Sequence, residues 1–166
     1  MLEVVIWDDP VLSKVTAAVP DSGFGPKLEA FGLDLVATMK ARNGIGLAAP
    51  QVGVSSRVFV MTFPDHDAME PVVAVNPALV LSGKTLYERE GCLSLPGVYE
   101  QVARSASTVM RYRDPLGAEH ELPLSGWDAR VAQHEWDHTQ GIMFFDRMSR
   151  QMRYRLLRDW HRMQEN

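Results

Sequence analysis

Apolar and polar residues recur along this chain with two different periods. Between residues 26 and about 42 the period is helical: Leu28, Phe31, Leu35, Val36 and Met39 fall on one stripe. Pro26 suits the first turn, Lys40 and Arg42 suit the last, and Asn43-Gly44 stops it, which predicts the first clear helix. The period then shortens to two. Residues 57–63 alternate and read as a strand, followed by a polar loop over 64–71. Residues 72–75, 78–81 and 84–88 read as short strands separated by Asn76-Pro77 and Ser82-Gly83. Residues 108–113 alternate, Asp114-Pro115-Leu116-Gly117 turns, and 119–124 returns, so a hairpin is expected. At the start of the chain, 2–7 reads as extended, Asp9-Pro10 as a turn and 19–26 as a loop.

The helical period comes back after Leu124. Ser125-Gly126-Trp127-Asp128 has the form of a capping box, with Ser125 as N-cap and Asp128 returning to the backbone. Gly141 stands where a helix C-terminus wants a left-handed residue. A last helix is expected from 150 to about 164, with Met152, Leu156, Trp160 and Met163 on its apolar face. Arg147, Arg150, Arg153, Arg155, Arg158 and Arg162 make that end positive, which is first of all a solvated face and, more sharply, a docking surface for an anionic partner. Two stretches obey neither period. Residues 44–53 and 90–97 are rich in glycine and other small residues; the first lacks the spacing of a phosphate loop. Small residues let another backbone approach, so 44–53 reads either as a wall for an extended ligand or as a plain connector.

Composition narrows the class. With 166 residues, 46% of them hydrophobic, the chain is the size of one domain with a proper core. Its net charge of -4 gives no general attraction for nucleic acid. One cysteine, Cys92, excludes an internal disulfide and fits a reducing compartment. No apolar run is long enough to span a bilayer, and the N-terminus lacks a basic region followed by a long apolar one, so a cytosolic protein is the default.

The chemistry concentrates in Gln133-His134-Glu135-Trp136-Asp137-His138. On a helix, His134 and His138 stack on one face, where two imidazoles reach one cation, and Glu135 beside them can take a proton from water activated there. The bland alternative is a pair of ordinary helix histidines. A catalytic site of this kind commonly needs a third protein ligand. Cys92 is the attractive choice, since a thiolate with two imidazoles suits zinc or iron(II); Glu90 is its rival, and a small buried hydrophobe is its plain reading. Cys92 as a nucleophile with a histidine base is a further option, but it leaves Glu135 without a task.

Three segments together resemble the signature of peptide deformylases: Gly44-Ile45-Gly46-Leu47-Ala48-Ala49-Pro50-Gln51, Glu90-Gly91-Cys92-Leu93-Ser94, and Gln133 to His138. The likeness runs from about residue 3 to residue 148, and the lead-in Gly126-Trp127-x-Ala129-Arg130 is similar to a branch that includes organellar members. The resemblance implies an α+β fold, with small antiparallel sheets packed around a central metal-binding helix and an amphipathic C-terminal helix, and residues 1–166 as one catalytic domain. It implies Cys92, His134 and His138 as metal ligands, Glu135 as general base and acid, and the Gln51 amide and Leu93 N–H as donors to the oxyanion. Gly44, Ile45, Gly46, Gly91 and Arg104 would meet the peptide. It also implies one divalent ion, natively iron(II) with zinc, nickel or cobalt as substitutes, in a bacterial cytoplasmic enzyme that removes formyl groups from nascent formylmethionyl chains. Some members dock on the ribosome through their C-terminal tails, which gives the arginines of 147–162 a candidate partner.

Thr139 departs from the pattern, since an apolar residue usually follows the second histidine; its hydroxyl is expected to bond back to the Glu135 carbonyl. Asp137 is either a ligand-orienting or arginine-pairing acid or an exposed one, and His66, His120 and His161 read as surface residues. Two rival functions differ in their products. An endopeptidase using the same helix would cut internal peptide bonds, and a non-catalytic metal-binding module would hydrolyse nothing.

Overall fold

A computed structural model describes residues 1–166. Three helices and five strands alternate as α1 (Pro26–Ala41), β1 (Gly46–Ala48), β2 (Val58–Met61), β3 (Val72–Cys92), β4 (Leu95–Arg113), β5 (Glu119–Ser125), α2 (Gly126–Thr139) and α3 (Arg150–Gln164). The strands form one antiparallel sheet in the order β1-β2-β3-β4-β5. The class is therefore α+β, as expected, with the small sheets joined into a single ladder.

The three short strands expected between 72 and 88 are one strand of 21 residues. Its turn signals are used as bulges: the register shifts between Val75 and Ala78 and again between Ser82 and Thr85. Asn76 sits at φ 50°, and its side-chain amide pairs with both the N–H and the carbonyl of Val19 at 2.8 and 2.9 Å, which pins the first bulge. Gly83 supplies the left-handed residue of the second, at φ 82°. The segment 90–97, expected to be irregular, is the closed end of the β3–β4 hairpin, where Cys92 pairs with Leu95 around Leu93-Ser94. Residues 2–7 belong to no strand and end in a turn at Trp7; Val5 N–H donates to the Gln51 carbonyl and Trp7 N–H to the Ser94 carbonyl, which ties them to both small-residue stretches.

Each helix covers part of the sheet with its apolar side. α1 packs Leu35 and Met39 against Leu47, Val58 and Val60. α2 lays Ala129 and Ala132 against Phe59, Met61 and Met110, and these short side chains bring its axis close to the sheet. α3 buries Leu156 and Trp160 with Leu95, Val102 and Phe145, while Met163 stays about half exposed with its methyl over Gly97. Ser149 caps α3, accepting from Met152 N–H at 3.2 Å.

The ends of α2 differ in how well they follow the sequence. Its C-terminus is a Schellman turn: Gly141 at φ 70° donates to the His138 carbonyl at 3.2 Å, and Ile142 to Asp137 at 2.9 Å. Its N-terminus is not the expected capping box. The Ser125 side chain makes no cap; instead Asp65, from the loop after β2, accepts from Trp127 N–H at 2.8 Å. Asp128 turns the other way and accepts from Asp65 N–H at 2.9 Å and pairs with His66 Nδ1 at 2.6 Å. Loop and helix thus hold each other through two aspartates.

Candidate metal centre

β3 ends at Cys92, and α2 crosses behind it with His134 and His138 one turn apart. The ligand atoms of Cys92, His134 and His138 all lie within 4.8 Å of one another. Cys92 Sγ is 3.4 Å from His138 Nε2. A tetrahedral ion with sulfur at about 2.3 Å and nitrogen at about 2.1 Å would set such a pair about 3.6 Å apart. The donor set of one sulfur and two imidazole nitrogens fits zinc or iron(II).

Glu90 is not a third ligand. Its carboxylate is outside the cluster of converging ligand atoms and takes four donors: Arg104 through Nε and Nη2 at 2.9 Å each, Arg130 Nη1 at 2.6 Å, and His134 Nδ1 at 2.8 Å. The last contact orients the ring, leaving Nε2 on the Cys92 side. Burial works to raise the Glu90 pKa, but the hydrogen bonds from His134 and Arg104 outweigh it and hold the carboxyl well below the ordinary range. Arg104 was expected at the peptide. It is buried and absent from the cavity wall, clamped between Glu90 and Asp137, whose Oδ2 is 2.6 Å from Nη1. Burial alone would depress Arg104, yet the two carboxylates raise its pKa above the usual arginine value. Asp137 is likewise buried, and its other oxygen takes Arg147 at 2.7 Å. Five charged side chains from β3, β4, α2 and the turn after it thus brace the histidine helix from behind. A ladder of partners 10 to 44 residues apart leaves no local trace in sequence.

Glu135 is buried on the open side of the histidines. Its Oε1 lies 4.0 Å from His134 Nε2, and its Oε2 has no hydrogen-bond partner. Burial lifts its pKa to about 7, against the pull of His134. His138 is held well below the ordinary histidine value by burial and then by the neighbouring His134 and Arg104 charges, which keeps it in the neutral, ligating form. For His134, burial is opposed by the Cys92 sulfur and the Glu90 carboxylate, and the balance lies well above the ordinary value.

The small-residue stretch 44–53 is a wall. A methyl group on Gly46 would stand 2.6 Å from Glu135 Oε1, so the carboxylate rests against backbone that only glycine leaves bare. Gln51 is set by Ala48 N–H donating to its Oε1 at 2.9 Å, which aims its Nε2 at Cys92 Sγ (3.4 Å) and Ser94 Oγ (3.2 Å). Leu93 forms the tip of the hairpin beside it. β1 pairs with β2 on one side only, leaving its other edge free. A cavity of about 400 Å³ opens in front of these groups and is lined by Gly44, Ile45, Gly46, Gln51, Cys92 and Glu135 among others. Gly91, Leu93 and His134 also face it, whereas His138 lies behind.

Thr139 does not bond back to Glu135; its hydroxyl donates to the Trp136 carbonyl at 2.6 Å. Its own carbonyl accepts from Thr16 N–H and Oγ1, at 3.0 and 2.8 Å. His66 and His120 are surface residues, each paired with an aspartate.

The family model for polypeptide deformylase matches residues 1–154. A peptide deformylase of Desulforudis audaxviator is 39% identical over 148 residues, covering 89% of this chain and 93% of that one. The crystal structure of a peptide deformylase from Legionella pneumophila superposes with a TM-score of 0.86 at 35% identity, over 100% of this chain and 98% of that one. A Met-Ala-Ser-bound peptide deformylase of class I type b from Acinetobacter baumannii gives 0.82 at 34%, over 89% and 98% of the two chains.

Proposed function

This chain belongs to the polypeptide deformylase family, and from that membership we propose how its own residues carry the reaction. The activity is hydrolysis of the N-formyl group from newly made peptides, in a metalloenzyme family. The reading of the site rests on one observation above all: a thiol and two imidazoles converge within 4.8 Å, with a buried carboxylate beside them.

Cys92, His134 and His138 would hold one divalent ion, iron(II) natively, with zinc, nickel or cobalt able to replace it. Such an ion supplies Lewis acidity, which polarises the formyl carbonyl and acidifies water. Glu135 accepts the proton of the attacking water, whose oxygen bonds to the formyl carbon. A carboxyl with a pKa of about 7 is matched to giving that proton back, and it delivers it to the amine nitrogen as the C–N bond breaks. Formate and a free amino terminus leave. Gln51 Nε2 and the Leu93 N–H face the oxygen on which charge grows; losing one such donor typically costs about 3 kcal/mol of barrier. Glu90 keeps His134 turned to the ion. The peptide lies extended along Gly44, Ile45 and Gly46 as an added strand, with Gly91 opposite, and backbone pairing of that kind tolerates many sequences. The tripeptide bound by the Acinetobacter relative supports an occupant of this size. Arg104 acts from behind as a positioning residue, not on the peptide.

The test is formate release from formyl-Met peptides by protein loaded anaerobically with iron(II), nickel or cobalt. Release is expected; its absence with all three ions would remove the reading. Glu135→Gln should lower kcat by about a hundredfold or more while the bound metal, measured by elemental analysis, stays at wild-type level. Cleavage of internal peptide bonds in place of formate release would favour the endopeptidase.

Residues 1–166 would work as one catalytic domain in the bacterial cytoplasm; no helix is long and apolar enough to cross a membrane. Arg150, Arg155 and Arg162 form no ion pair and point to a ribosomal contact through α3. Salt-sensitive cosedimentation with ribosomes is the expected outcome, and its absence at low salt would sink that part.

A further inference from the structure

Besides Cys92 and Tyr99, five side chains of acidic or basic residues line the cavity: Arg89, Glu90, Arg130, His134 and Glu135. Four of them are committed. Glu90, Arg130 and His134 are tied to one another, and Glu135 is buried against Gly46. Arg89 alone is exposed, and no ion pair of the protein includes it. Its guanidinium carbon stands 6.0 Å from the centre of the Tyr99 ring. That ring is itself seated on bare backbone: a methyl group on Gly91 would meet it at 2.5 Å. The outer lip of the cavity is thus an aromatic plate with a free cation beside it, on a chain whose net charge is -4.

Distance decides what reaches this lip. Arg89 precedes Cys92 by three strand residues, about 10 Å along β3 at about 3.3 Å per residue. In an extended peptide whose formyl carbon lies at Cys92, the third residue comes at about the same distance, since two residue steps span about 7 Å and the formyl link adds the rest. Gly91, Tyr99 and Arg89 line the same cavity as Cys92, and Tyr99 and Arg89 are exposed, so an extended chain that passes Gly91 can reach them.

We propose that Arg89 selects formylated peptides bearing an acidic side chain at their third residue. The proposal rests on the deformylase reading of the site for the placing of the formyl group. It adds a charge preference to a site whose backbone contacts are indifferent to sequence.

The experiment compares kcat/KM for C-terminally amidated formyl-Met-Ala-Glu, formyl-Met-Ala-Gln and formyl-Met-Ala-Lys at low and high salt. The wild type should favour Glu over Lys by about three- to tenfold at low salt, as an exposed ion pair allows, and lose the preference in high salt. Arg89→Lys should retain the preference, Arg89→Gln should bring the ratio near one, and Arg89→Glu should invert it. A second arm measures binding of the deformylated Met-Ala-Glu and Met-Ala-Lys amides, which needs no turnover. Equal rates and equal binding for both charges in the wild type would overturn the proposal, as would a preference that survives Arg89→Glu. If no peptide yields formate the deformylase reading fails by itself, and the binding arm still decides the role of Arg89.

Discussion

At the scale of single residues, two positions separate what a side chain touches from what it supports. Gly46 faces Glu135 with no room for a methyl group. Gly46→Ala should push the carboxylate by roughly an ångström and lower kcat by tens of fold or more, with the fold intact by circular dichroism. Arg104 lies outside the cavity at the metal centre, but removing it takes three donors from two buried carboxylates, leaving Glu90 to Arg130 and His134 and Asp137 to Arg147. Arg104→Met should cost about 3–5 kcal/mol, and a melting curve should fall by on the order of 10 °C, while KM for a formyl peptide changes by less than about twofold. A large rise in KM at unchanged melting temperature would restore Arg104 to the peptide. The convergence of Cys92, His134 and His138 beside Glu135 was legible because helical spacing and one thiol confine such a cluster to few positions. Arg104 was not, because its partners come from another strand and from α2, and an arginine on a strand looks the same whether solvated or buried.

At the scale of elements, α2 shows how a helix can carry the right signals and use others. Ser125 and Asp128 have the letters of a cap, yet β5 runs as far as Ser125, and Asp128 is drawn to the loop. Asp65→Ala should therefore destabilise by about 1–2 kcal/mol and Ser125→Ala by little, as read by chemical denaturation. The opposite ranking would reinstate the local cap. Gly141, by contrast, was legible, since a left-handed residue after a helix is a local demand that glycine meets. β3 failed to read as one strand for the opposite reason: Asn76-Pro77 and Ser82-Gly83 are turn letters, and only the partner strand β4, running alongside, makes them bulges. The helices followed from periodicity and the class of the fold from the family resemblance; the length of its longest hairpin followed from neither.

At the scale of the molecule, three separate apolar cores include residues that flank the site, Val131, Leu95 and Leu47 among them, and a charged network braces the histidines. An ion bound at Cys92, His134 and His138 ties β3 to α2, so it should stabilise the whole fold. At an ion concentration a thousand times its dissociation constant the gain is about 4 kcal/mol. Chelation should lower the melting temperature by about 8–16 °C, and re-addition of nickel or cobalt should restore it. A melting curve indifferent to chelator would mean that the three ligand atoms hold no ion. The span of those ligands also fixes an order of events during synthesis. Cys92 and His138 are 46 residues apart, and the thiol leaves the translating ribosome long before either imidazole. For that interval it is an ordinary reactive thiol with nothing to shield it. A bound ion would therefore have to wait until α2 has emerged and packed on the sheet, which makes loading one of the last steps in building the molecule.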